Sequence, residues 1–89
     1  MNRENEIRKQ LKNIEGKRLL EKTKLEYSHA IIEGLNNNPN ILSKVLESLN
    51  ITEKELWELL SGEKNSNVVL YDQALETIIK INIKNKINK

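Results

Sequence analysis

The chain has 89 residues, with fifteen Lys and Arg against thirteen Asp and Glu, 37% apolar residues, no Phe and no Cys. That length holds one small domain whose thin core must come mainly from Leu and Ile, so oligomerisation is an expected route to extra stability. The missing cysteines exclude a disulfide framework, a thiolate metal site and a cysteine nucleophile.

The net charge of +2 conceals a strong division along the chain. Residues 1 to 24 carry eight Lys or Arg against four Glu, residues 25 to 79 carry three Lys against nine acids, and residues 80 to 89 carry four Lys and no acid. An acidic centre thus lies between two basic ends, and any contact with nucleic acid would have to draw its cations from those ends. The opening MNRENEIRKQLKN places charges where a signal peptide needs an apolar run. Nothing later approaches the roughly 20 apolar residues that span a bilayer, so a cytoplasmic protein without membrane contact is expected.

Ile7, Leu11 and Ile14 make one helical stripe, followed by Leu20, Tyr27 and Ile31 at helical multiples. Residues 3 to 35 should therefore be helical, as two helices or as one with a soft joint at Gly16, with Gly34 at the position of a C-terminal cap. The run NNNPN, residues 36 to 40, is the clear break. Proline is at home in a first helical turn, so a new helix should start at Asn38 to Asn40. Its apolar face is Ile41, Leu42, Val45, Leu46 and Leu49. Asn50 then tolerates the positive backbone angle of a tight turn.

Thr52 and Glu55 form a T-x-x-E capping box, so a third helix should begin at Glu53, turn Leu56, Leu59 and Leu60 inward and end at Gly62. Asn67 should cap a fourth helix that buries Val68, Tyr71, Ala74, Leu75 and Ile78. The tail IKINIKNKINK alternates apolar and polar residues, which suits a strand as well as a helix, and a frayed or partner-dependent end is expected.

The run from the second of these helices onward resembles the helix-turn-helix of the Cro and phage-repressor type, the XRE family, over about residues 40 to 79. The resemblance rests on the apolar pair Val45 and Leu46, then Leu49, the turn residue Asn50, the small apolar Ile51, the cap Thr52, inward Leu56 and Leu59, and Gly62. Asn65 falls where the family's polar loop often has Asn. Three features depart from the pattern. Leu46 stands where Ala usually permits a close crossing, Leu42 stands where a polar residue often touches phosphate, and a fifth helix around Ile81 to Ile83 needs a small insertion.

The resemblance implies an all-α bundle in which residues 1 to 35 are a basic helical extension, 40 to 79 the helix-turn-helix core and 80 to 89 a basic tail. It also implies a non-enzymatic, cofactor-free transcriptional regulator that binds duplex DNA as a homodimer. The positions that would meet DNA, or a partner in its place, are Thr52, Glu53, Lys54, Trp57, Glu58, Lys64 and Asn65. Phosphate contacts would fall to Arg8, Lys12, Lys17, Arg18, Lys80 and Lys84. Against this stands the sign of the face: Glu53, Glu55 and Glu58 surround Lys54, whereas phosphate affinity is supplied chiefly by Lys and Arg. The rival expectation is therefore a protein-interaction module on the same scaffold, with Trp57 as its anchor. A lone His29 offers no metal site, and the neighbours Tyr27, Ser28 and His29 diverge around a helix, so they form no catalytic relay.

Overall fold

The computed structural model describes residues 3 to 64 and 66 to 87, with side chains through Lys84. The described residues form an all-helical bundle: α1 (Arg3–Glu15), α2 (Lys22–Asn37), a 3₁₀ turn (Pro39–Ile41), α3 (Leu42–Leu49), α4 (Glu53–Ser61) and α5 (Val68–Ile87). Residues 3 to 37 are thus two helices separated by a connector at residues 16 to 21.

One core serves all five helices. It takes Ile7, Leu11 and Ile14 from α1, Ile31, Ile32 and Leu35 from α2, Leu42 and Val45 from α3, Leu56, Leu59 and Leu60 from α4, and Tyr71, Ala74 and Ile78 from α5. Helices α1 and α2 therefore both contribute to the core, and among residues 3 to 35 neither projects as an extension. Burying each Leu or Ile in this way stabilises the fold by about 1.5–3 kcal/mol before entropy is charged.

Three expectations are corrected. Gly34 does not end α2, which runs on to Asn37; a Cβ there would stand 2.7 Å from Ile78 Cγ2, so the glycine marks a close approach of α2 to α5. Val68, at the start of α5, is 37% exposed and not part of the buried side. The alternating tail is neither strand nor separate helix: α5 continues unbroken to Ile87, its inner side held by Ile78 and the partly buried Ile81. Residues 88 and 89 lie outside the described residues.

The corner between α3 and α4 follows local chemistry. Asn50 adopts φ 55° and ψ 48°, its N–H donates to the Glu47 carbonyl at 3.2 Å, and the Ile51 N–H donates to the Leu46 carbonyl at 3.1 Å. These are the two nested bonds of a Schellman stop. Leu46 remains half-buried at this crossing.

Candidate functional site: the α1–α4 face

Helix α4 is fixed at both ends. At its N-terminus the Thr52 hydroxyl accepts from the Glu55 N–H at 3.1 Å, and the Glu55 carboxylate accepts from the Thr52 N–H at 3.1 Å. Those bonds hold the Glu55 carboxyl below its ordinary pKa, and the Lys64 ammonium 3.5 Å away adds to the effect. At its C-terminus four carbonyls lack partners within the helix. Each finds a named donor. Glu58 accepts from the Gly62 N–H at 3.0 Å, Leu59 from the Tyr71 hydroxyl, Leu60 from the buried Ser28 hydroxyl at 2.8 Å, and Ser61 from the Leu19 N–H at 3.0 Å. Burial raises the Tyr71 pKa above the ordinary phenol value. Gly62, at φ +87°, ends the helix and leaves room for Leu20.

The connector at residues 16 to 21 therefore crosses the end of α4, and this places α1 alongside α4. Arg3 pairs with Glu53 at the opposite end, as well as with Glu6 on its own helix. Arg3 thus sits by the start of α4, while Lys17 lies beside Trp57, Glu58 and Ser61 near its end, so the two helices run in the same direction.

This packing decides how much of α4 is presented. Leu56, Leu59, Leu60 and Ser61 are buried, Trp57 and Glu58 are partly buried, Glu53 and Glu55 keep side chains 37% and 40% exposed, and Lys54 is exposed. An open groove of about 190 Å³ separates the helices, lined by Gln10, Asn13 and Lys17 on one side and Lys54, Trp57 and Glu58 on the other. It is smaller than the ~300–1,000 Å³ of a small-molecule site.

The structure brings together only part of the expected site. Thr52 acts as a cap, Glu53 is paired to Arg3, Lys64 is paired to Glu55, and Lys54, Trp57 and Glu58 line the groove. Asn65 lies outside the described residues. Of the six cations expected to hold phosphate, Lys17 alone lines this groove. Arg8 turns to α2, donating to the Asn36 carbonyl at 3.1 Å, and Lys12 is exposed on α1. Nε and Nη1 of Arg18 are enclosed without a hydrogen-bond partner. Lys80 pairs with Glu76 at 2.8 Å on α5, where Lys84 is also exposed. Leu42, at the position where a phosphate contact is common in the resembled family, is 4% exposed and belongs to the core.

Sequence reasoning missed the roles of Ser28, Tyr71 and Leu19 in closing the end of α4. Only Ser28 carried a signal, as a polar residue on the apolar side of its helix. Among the described residues no group of three or more His, Cys, Asp or Glu is placed to hold a metal, and no helix is long and apolar enough to cross a membrane. Comparison with protein-family models, with curated proteins and with solved structures found no match.

Proposed function

We propose that this protein is a non-enzymatic, cytoplasmic protein-interaction module on a helix-turn-helix scaffold, whose α1–α4 face receives another protein. The observation that carries this reading is the half-covered state of α4. A helix that enters a DNA groove must present its outer side chains, whereas here α1 lies along α4, walling the groove that Trp57 and Glu58 line and pairing Arg3 with Glu53. Trp57 supplies a half-buried aromatic anchor, and Gln10, Asn13, Lys17, Glu58 and Glu63 form a mixed polar rim. An aromatic centre within a polar rim is the usual anatomy of a protein interface.

A second reading, a duplex-DNA-binding regulator of the XRE type, is favoured by one specific feature. The α3–α4 corner has the Schellman stop, the capping box and the glycine end that such a domain uses.

Titration with duplex DNA at low and moderate salt separates the two. The protein-binding reading expects no complex at low salt. A steep salt dependence that Lys17→Gln and Lys54→Gln reduce would replace it with the DNA reading. For the protein reading itself, Trp57→Ala abolishes binding of any partner selected against the intact protein while the circular dichroism spectrum is kept. A partner that binds the variant as tightly as the parent refutes the assignment of this face.

A further inference from the structure

Among the described residues six large apolar side chains are exposed, and four of them, Val68, Val69, Ile79 and Ile83, lie on α5. Their positions follow from helical spacing. Tyr71, Ala74 and Ile78 face the core, while Val69, Asp72, Glu76, Ile79, Lys80 and Ile83 recur three and four residues apart on the opposite side. Among the described residues, through Lys84, α2 and α3 pack on the inner side and leave the outer one open, with the Tyr27 hydroxyl donating to Asp72 at 3.4 Å near its start.

Charge on this stripe is divided. Asp72 and Glu76 occupy its first half, Lys80 and Lys84 its second. Two copies of the helix laid antiparallel about a two-fold axis at residue 78 bring Glu76 opposite Lys80 of the other copy and Asp72 opposite Lys84. The same axis brings Ile79 of the two copies within two residues of each other and Ile83 opposite Gln73. A parallel pairing would set acid on acid and base on base. The divided charges thus favour an antiparallel second copy, in which the 2.8 Å pairing of Glu76 with Lys80 inside one helix is exchanged for the same pairing across the axis.

We propose that the outer face of α5 is a homodimer interface in which two α5 helices pack antiparallel, with their charged halves exchanged across the axis. An isologous contact of this kind is self-complementary, as a two-fold interface requires. It is independent of what the α1–α4 groove receives, since α5 lines none of that groove.

The test is sedimentation equilibrium on the full chain. The parent protein should approach twice the 10.4 kDa of one chain as concentration rises. The double variant Asp72→Lys with Glu76→Lys has an all-basic face, and Lys80→Glu with Lys84→Glu has an all-acidic one. Each should lose about tenfold or more in self-association, and an equimolar mixture should recover a heterodimer. Ile83→Ser, at a 53% exposed position, should weaken the dimer without lowering helicity. A parent that stays monomeric throughout overturns the proposal. So do reversed variants that self-associate as well as the parent, because like charges would then face each other at no cost. Binding at the groove is read separately through Trp57, so failure of one proposal leaves the other to its own test.

Discussion

Replacing Gly34 with alanine tests how closely α2 and α5 approach, and with it the placement of the outer α5 face. The added Cβ would stand 2.7 Å from Ile78 Cγ2 and 3.9 Å from Ile78 Cβ. The obstructing methyl branches directly from Cβ and belongs to a side chain that is 2% exposed, so it cannot swing aside as a flexible end would. Overpacking of this kind costs about 1–3 kcal/mol. Alanine in a helix interior returns about 0.8–1.0 kcal/mol relative to glycine. The net expectation is a loss of about 0–2 kcal/mol where propensity alone would predict a gain.

Ile78→Leu moves the branch from Cβ to Cγ at nearly constant volume and removes that methyl, at a cost below about 1.5 kcal/mol. In this background Gly34→Ala should stabilise by up to about 1 kcal/mol, so the sign reverses. Urea denaturation of the four proteins, followed by ellipticity and by the fluorescence of Trp57, closes the cycle. A coupling of about 1–3 kcal/mol is expected from the overpacking term. Equal stabilisation by Gly34→Ala in both backgrounds would refute the close approach, because nothing would then stand where the methyl is placed.

Gly62→Ala should cost more than Gly34→Ala, since it adds about 1–2 kcal/mol of left-handed backbone strain to the displacement of Leu20, whose Cδ2 lies 2.8 Å from the added Cβ; the same urea assay measures it. Ser28→Ala leaves the buried Leu60 carbonyl without its donor and should destabilise by about 1–3 kcal/mol, with faster amide exchange at the end of α4. Glu55 has a depressed pKa in the folded chain, so its stabilising effect is present at neutral pH and lost as pH falls through its carboxyl titration below the ordinary 4.5. Glu55→Gln keeps the capping geometry and removes the titration, so it should flatten the fall in thermal midpoint on acidification; an unchanged slope would sink this account.

The features that could be read from the sequence are those set within a few residues. The stop at Asn50, the Thr52 and Glu55 box and the end at Gly62 each need only their own neighbours to form. Features set by distant contacts could not be read in this way. Gly34 carries the local signature of a cap, but Ile78, far along the chain, decides its role. The alternating tail has no helical period of its own, and it is helical because Ile78 and Ile81 continue the inner side of α5. The clearest case is the end of α4. Its carbonyls are closed by Ser28, which is 32 residues from Leu60, and by Tyr71, which is 12 residues from Leu59; the placement of Ser28 on an apolar side hints at a buried partner, but no local pattern says which carbonyl either hydroxyl meets.

The same distinction bears on the acidic face. Read along the chain, Glu53, Glu55 and Glu58 are a block of charge that would repel phosphate. In the fold two of them are already matched, Glu53 by Arg3 and Glu55 by Lys64, and these pairs occupy cations that a DNA complex would need. Breaking exposed pairs is cheap, at about 0–1 kcal/mol each, so pairing alone would not keep α4 from DNA. Packing is the stronger obstacle. Uncovering α4 means lifting α1, and Ile7, Leu11 and Ile14 would then leave a core in which each is at most 4% exposed. At about 1.5–3 kcal/mol for each side chain, that loss is comparable with the whole 5–15 kcal/mol of a typical small domain. Helix α1 is therefore a fixed wall of the groove, and on the reading proposed above a partner seated beside Trp57 would have to fit between the two helices as they stand.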